Sequence, residues 1–194
     1  MALGGKMSIW VTSDFHFLHD REFIYRPRAV ESAREMDEKI LMNLQRFVRP
    51  SDDLYILGDL MLGGPDRLED GLKLISQIPG QLHVVRGNHD TDKRWEAYKT
   101  LENVVEAKNS IYLRYNGYNF YMSHFPSLTA NLTKESLKQC TINLYGHTHQ
   151  HNNFYCDIPY MYHVGLDSHD CRPVLLNTII EECELKVEEC KKQL

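Results

Sequence analysis

Residues 82–90 of the chain are Leu-His-Val-Val-Arg-Gly-Asn-His-Asp. The apolar residues at the start of this segment are typical of a short buried strand. The last four residues, Gly87 to Asp90, place an amide, an imidazole and a carboxylate directly after that strand. Glycine, asparagine and aspartate are also common turn residues, so the segment alone does not distinguish a functional site from a turn.

Four other apolar runs of the sequence are followed by polar residues in the same way. In a sheet of parallel strands the carboxyl ends of the strands meet at one edge, where ligands usually bind. These five segments are therefore expected to converge, although they are far apart along the chain. They contain seven candidate metal ligands: Asp14, His16, Asp59, Asn88, His124, His147 and His149.

The chemistry of these seven residues predicts a transition-metal site. Imidazole and carboxylate together suit Mn, Fe, Zn, Ni or Co, and the absence of cysteine argues against a structural zinc site. Because residues two apart in a strand point to the same side, Asp14 with His16 and His147 with His149 are each expected to bring two donors to one place. The glycines that precede three of the ligands allow sharp turns and a close approach of the backbone.

Composition sets limits on the class of protein. The chain has 194 residues, of which 27 are acidic and 22 are Lys or Arg, and its net charge is −5. This charge argues against extended binding to nucleic acid, and no apolar stretch is long enough to span a membrane. The five cysteines form no CxxC pair and follow no export signal, so we expect reduced thiols in a cytoplasmic protein.

The pattern of apolar residues predicts one α/β domain over 7–194, preceded by a leader or tag remnant at 1–6. Helices are expected over about 31–48, 65–78 and 93–101, and a last helix from a capping box at Thr178 to about 192. The strands 112–115 and 119–122 are expected to form a hairpin around Asn116-Gly117.

The five polar segments resemble the sequence blocks of the calcineurin-like metallophosphoesterases. Within that superfamily the chain is similar to small, single-domain bacterial and phage phosphoesterases, which is supported by the segments 164–167 (Val-Gly-Leu-Asp) and 172–174 (Arg-Pro-Val). The resemblance implies a four-layer α/β/β/α sandwich with mixed sheets and a dinuclear metal centre. It also implies that one ion is held by Asp14, His16, Asp59 and His149, and the other by Asp59, Asn88, His124 and His147.

The expected mechanism is hydrolysis of a small phosphate mono- or diester by a hydroxide that bridges two divalent ions. His89 is expected to donate a proton to the leaving group, with Asp90 orienting its ring. Four further residues are candidates for binding the substrate: His19, Arg26, Arg28 and Arg172.

Two alternatives remain open from the sequence. The first is a nuclease that acts on nucleic-acid ends, which would need the arginines of residues 21–34 to line a groove. The second is a non-enzymatic interaction module on the same fold, although such a module would be expected to lack ligands that this sequence retains. The sequence does not specify the substrate, the native metal pair or the oligomeric state.

Overall fold

The structure, a computed structural model, describes residues 7–129 and 136–192, so the predicted leader or tag at 1–6 lies outside the described residues. Its strands are β1 (Ile9–Thr12), β2 (Asp53–Ile56), β3 (Gln81–Val85), β4 (Val104–Lys108), β5 (Ser110–Tyr115), β6 (Tyr118–Ser123), β7 (Thr141–Tyr145), β8 (Met161–His163) and β9 (Val174–Leu175). Its α-helices are α1 (Glu22–Tyr25), α2 (Ala33–Phe47), α3 (Leu68–Ser76), α4 (Asp92–Tyr98) and α5 (Leu176–Lys192).

The strands form two mixed sheets. In the first, the order is β4-β3-β2-β1-β9, with β1 to β4 parallel and β9 antiparallel to β1. In the second, the order is β5-β6-β7-β8, with β5 and β6 antiparallel and the other pairs parallel. The parallel strands of both sheets direct their carboxyl ends towards the polar segments. The predicted α/β fold with mixed sheets is confirmed.

Two apolar cores hold these layers together. In the first core, residues of α2 and α3 such as Ile40, Leu44 and Ile75 pack on one face of the first sheet, against Leu54 and Leu82. The second core lies on the other face, where side chains of the first sheet meet those of the second sheet and of α5. Because both faces of β2 and β3 are covered, consecutive apolar residues of these strands are buried on both sides, such as Leu54 and Tyr55 in β2 and Val84 and Val85 in β3.

The ends of the elements show where local sequence signals were sufficient. Ser32 caps α2 by accepting a hydrogen bond from the Glu35 backbone N–H at 3.2 Å. The predicted hairpin is confirmed, and its turn places Asn116 and Gly117 at φ values of 50° and 82°. The capping box predicted at Thr178 is wrong, because β9 leads directly into α5 at Leu176. Over residues 7–129 and 136–192, no helix has the length and apolar character needed to cross a membrane.

Candidate metal centre

The loops that follow β1, β2 and β7 are joined by backbone hydrogen bonds at the carboxyl edge of the sheets. The Asp14 N–H donates to the carbonyl of Gly58 at 3.1 Å, and the His16 N–H donates to the carbonyl of Asp59 at 3.0 Å. The His147 N–H, in the second sheet, donates to the Asp14 carboxylate at 3.0 and 3.1 Å. These bonds hold three of the polar segments at fixed separations.

One group of candidate ligands lies around Asp14. A single ligand atom from each of Asp14, His16 and His149 lies within 4.8 Å of the other two. The two imidazoles face each other, with 3.1 Å between the Nε2 atoms of His16 and His149. Two ring nitrogens directed at each other in this way are typical of donors that share a cation. Asp14 also has a ligand atom within 4.8 Å of one from His124 and one from Asp59.

A second group lies beside Asp59. Its Oδ2 atom is 3.7 Å from His16 Nε2 and 3.4 Å from His124 Nε2, so the carboxylate stands between the two groups. The Asn88 Oδ1 atom is 2.8 Å from His124 Nε2 and 2.9 Å from His147 Nδ1. The structure therefore brings all seven predicted ligands into one continuous cluster.

The backbone of this cluster adopts an unusual conformation. Five of the seven candidate ligands have positive φ values between 47° and 67°: Asp14, His16, Asp59, His147 and His149. Left-handed backbone at residues other than glycine costs about 1–3 kcal/mol each and concentrates at functional sites. Because His147 and His149 have this backbone conformation, their side chains do not point to the same side as residues two apart in a strand would. The two imidazoles lie in different groups.

Two glycines allow the loops to approach one another. A Cβ atom at Gly87 would overlap Asp59 Oδ1, and one at Gly146 would overlap Ser13 Oγ and Asp14 Oδ2. The expected close approach of the backbone is therefore present at these two positions. Any side chain there would displace a candidate ligand.

Electrostatics at the cluster favour binding of a cation. Burial lowers the pKa of His16 well below its usual value, and the charge of His149 lowers it further, so this imidazole is neutral. Burial raises the pKa of Asp59, but the hydrogen bond and charge of His124 outweigh burial and bring it to about 2. The buried His16 Nδ1 atom has no hydrogen-bond partner. His16 and Asp59 are thereby in the protonation states that metal ligation requires. Together with the nitrogen and oxygen donors beside them, these residues fit divalent metal ions.

A profile of the calcineurin-like phosphoesterase superfamily domain matches residues 7–165, which include the whole cluster. The chain belongs to this superfamily. The family acts on phosphate esters with divalent metal ions, so this chain is assigned to the metal-dependent hydrolases of phosphate esters.

Similar proteins span most of the chain. An uncharacterised protein of Methanocaldococcus jannaschii is 28% identical over 185 residues, which cover 91% of each chain. The gene 66 protein of Mycobacterium phage D29 is 27% identical, covering 86% of this chain and 92% of the phage protein. A solved structure of a protein of unknown function from Aquifex aeolicus, 24% identical, has a TM-score of 0.68 and covers 90% of this chain and 98% of its own. This structure shares the fold of the phosphoesterase described here.

In this phosphoesterase, His89 lies at the rim of the ligand cluster. Its side chain is 42% exposed, and its Nε2 atom is 3.9 Å from Asp59 Oδ2. Asp90 does not orient the His89 ring as expected. Its oxygens accept hydrogen bonds from the backbone N–H groups of Gly87, Asp59 and Leu60 at 2.8, 2.9 and 3.3 Å. They also accept one from the Tyr98 hydroxyl. Asp90 therefore joins the loops that carry the ligands.

The candidate substrate-binding residues of the phosphoesterase lie in different surroundings. The His19 ring is 5.3 Å from the His16 ring, and burial with the nearby charge of His89 lowers its pKa to about 4. Arg26 forms exposed ion pairs with Glu22 and Glu31, and Arg172 forms one with Asp170. No contact joins either arginine to the seven ligands within the described ranges.

Arg28, the fourth candidate, is buried and faces the protein interior. Its guanidinium forms an ion pair with Asp167, in which the side chains are 1% and 6% exposed. The expectation that Arg28 contacts a substrate is not supported, because its N–H groups donate to protein atoms. Asp167 itself had no role predicted from the sequence beyond its place in the segment 164–167. It accepts a hydrogen bond from His149, and this contact is visible only in three dimensions.

Proposed function

We propose that this protein is a dinuclear metal-dependent phosphoesterase that hydrolyses small phosphate mono- or diesters, with His89 as the general acid. The observation that carries the proposal is the position of the Asp59 carboxylate, within 3.7 Å of His16 Nε2 and 3.4 Å of His124 Nε2. A carboxylate between two groups of nitrogen and oxygen donors is suited to bridging two cations.

The two groups of donors indicate how the ions would be held. Asp14, His16, Asp59 and His149 would hold one ion, and Asp59, Asn88, His124 and His147 would hold the other. Manganese, iron, zinc, nickel and cobalt all suit these donors. When bound, a pair of such ions activates a water molecule for attack and neutralises the charge that develops on the phosphoryl oxygens.

The residues of the chain complete the chemistry around the ions. The His89 backbone N–H donates to Asp59 Oδ1 at 2.9 Å, which fixes the start of the His89 side chain beside the bridging carboxylate. The imidazole remains half exposed and can meet the ester oxygen of a substrate. Donation of its proton to that oxygen as the P–O bond breaks would contribute about 10²–10⁴-fold to the rate. His19, whose ring is 5.3 Å from that of His16, would contact the phosphate or its substituent.

The surroundings of the site favour small substrates over extended nucleic acid. Of the four arginines at 21–34, Arg26 and Arg34 are engaged by glutamates, Arg28 is buried, and the exposed Arg21 donates to the carbonyl of its neighbour Asp20. They do not line a basic groove, so no observation favours the nuclease alternative. The complete set of ligands also argues against a non-enzymatic interaction module. A cytoplasmic location, expected from the cysteines, is part of the same proposal.

The test is metal-dependent hydrolysis by the purified protein. After removal of metal with a chelator, Mn²⁺, Fe²⁺, Zn²⁺, Ni²⁺ or Co²⁺ is added, and release of p-nitrophenol from bis-p-nitrophenyl phosphate and p-nitrophenyl phosphate is followed. Elemental analysis of the loaded protein should give two ions per chain. The variant Asp59→Asn should lose hydrolysis, whereas the same change at the exposed Asp66 should not. Absence of hydrolysis with every ion, or full activity of Asp59→Asn, would refute the proposal.

A further inference from the structure

Asp167 and Arg28 form a buried ion pair next to the group of donors around Asp14. The Arg28 Nε and Nη2 atoms donate to the two carboxylate oxygens of Asp167 at 3.0 and 3.1 Å. The two residues are 139 positions apart in the sequence, and both side chains are almost fully buried. A bidentate pair of this kind fixes the orientation of the carboxylate and stabilises its ionised form.

The remaining N–H groups of Arg28 bind the loop that carries Asp14 and His16. Nη2 donates to the Asp14 carbonyl at 2.8 Å, and Nη1 donates to the Phe15 carbonyl at 3.0 Å. The last N–H is directed at the Met36 sulfur at 3.3 Å. All five N–H groups of the guanidinium are thereby used, and a single side chain fixes the loop relative to Asp167.

Asp167 in turn orients the ring of His149 through a hydrogen bond. Its Oδ2 atom is 2.9 Å from His149 Nδ1. An ionised carboxylate can only accept hydrogen bonds, so the proton of a neutral His149 ring must lie on Nδ1. The lone pair then lies on Nε2, the atom that faces His16 Nε2 at 3.1 Å.

We propose that Arg28 and Asp167 are positioning residues that prepare one metal position, by fixing the tautomer of His149 and its distance from Asp14 and His16. This inference rests on the proposed function in one respect, because it takes the cluster to bind two ions. Within the described ranges, no hydrogen bond or ion pair joins either side chain to Asn88, His124 or His147. Loss of the pair should therefore weaken one metal position and leave the other unchanged.

The first experiment compares Asp167→Asn with Asp170→Asn. Asp170 is an exposed acid nearby, paired with Arg172 and Lys39, so its variant controls for the change in net charge. Titration of the metal-free proteins with Mn²⁺ alone, followed calorimetrically, should resolve two positions. Replacing a carboxylate that supports a ligating histidine typically weakens metal affinity by about 10–100-fold. We expect this loss at one position of Asp167→Asn only, and no loss in Asp170→Asn. Two unchanged affinities in a folded Asp167→Asn protein would overturn the proposal.

The second comparison keeps the positive charge. Lysine cannot form the bidentate contact and reach both carbonyls, so Arg28→Lys should weaken the same position. Arg34→Lys is the matched control, because Arg34 is 87% exposed and pairs with Glu38 on the surface. Equal Mn²⁺ affinities in the two variants would contradict a positioning role for Arg28.

The third measurement reads the tautomer in the wild-type protein, and a variant is used only to assign the signals. Nitrogen-15 NMR of the metal-free protein, at a pH where imidazoles are neutral, distinguishes the two tautomers of each histidine. Comparison with His149→Gln identifies the signals of His149. They should show a proton on Nδ1 and none on Nε2, and the opposite tautomer would overturn the proposal.

These outcomes are distinguishable from a failure of the proposed function. If wild-type protein binds two Mn²⁺ ions and hydrolyses phosphate esters but Asp167→Asn binds both ions equally well, only the positioning role is refuted. If wild-type protein binds no ion, the proposed function fails, while the NMR measurement still reports the tautomer of His149.

Discussion

Replacement of His89 by alanine should separate proton donation from metal binding. The contact of His89 with Asp59 Oδ1 is made by its backbone N–H, which alanine retains. The side chain is 42% exposed, so its loss should change the free energy of unfolding by no more than about 0.5 kcal/mol. The variant should therefore fold and bind the same two ions as the wild-type protein.

The size of the effect should depend on the leaving group. For an alkyl phosphate ester, whose leaving oxygen is strongly basic, loss of the proton donor should lower kcat/KM by about 10²–10⁴-fold. This corresponds to about 3–5 kcal/mol of lost transition-state stabilisation. For p-nitrophenyl esters, whose leaving oxygen is stable without a proton, the loss should be much smaller.

The assay compares kcat/KM for a series of esters with leaving groups of increasing basicity, in wild-type protein and in His89→Ala. The logarithm of the ratio of the two rates should grow with the basicity of the leaving group. Elemental analysis of both proteins provides the control for metal content. An equal loss of activity across the series, with two ions still bound, would refute the assignment of His89 as the general acid.

Four further predictions follow from the cluster and its surroundings. Burial raises the pKa of Asp37 to about 7, above its unfolded value, so the free energy of unfolding should fall as the pH rises from about 4 to about 7. The variant Asp37→Asn should remove this fall. In urea unfolding it should be more stable than the wild-type protein by about 1–4 kcal/mol at about pH 8, but not at about pH 4. In Gly146→Ala the added methyl group should displace the Asp14 carboxylate, lower the free energy of unfolding by about 1–3 kcal/mol and weaken Mn²⁺ binding. An unchanged Mn²⁺ binding isotherm would contradict the close approach of Gly146 to Asp14. His124→Ala should reduce the metal content to one ion per chain by elemental analysis, and two retained ions would contradict its place in the second group. Tyr98→Phe removes a single hydrogen bond to Asp90 and should lower the free energy of unfolding by about 0.5–1.5 kcal/mol, whereas no change in thermal unfolding would show that the hydroxyl is dispensable.

Local signals in the sequence were sufficient for the main elements. The periodicity over 31–48 predicted α2, and Asn116-Gly117 predicted the hairpin, because helix faces and tight turns depend on neighbouring residues. β4 and β9 were not predicted. β9 has only two residues and exists through its pairing with β1, which no local pattern encodes.

In the candidate site, too, some features could be predicted from the sequence and others could not. The seven ligands could be found from the sequence because each follows an apolar run and carries a chemically distinctive side chain. The role of Asp90 could not be found, since its carboxylate is bonded to backbone groups of residues about 30 positions away. Arg28 was misjudged for a related reason, because a sequence shows its charge but not the buried acceptors that surround it.

The amino-acid sequence by itself determined the kind of chemistry that is available, since the types of side chain fix which ions and protons they can bind. Only the tertiary structure decided which donors lie next to one another, because that depends on strand order and on left-handed backbone at loops distant in sequence. His147 and His149 are two residues apart in the chain and lie in different groups, whereas His149 and His16, 133 positions apart, face each other at 3.1 Å.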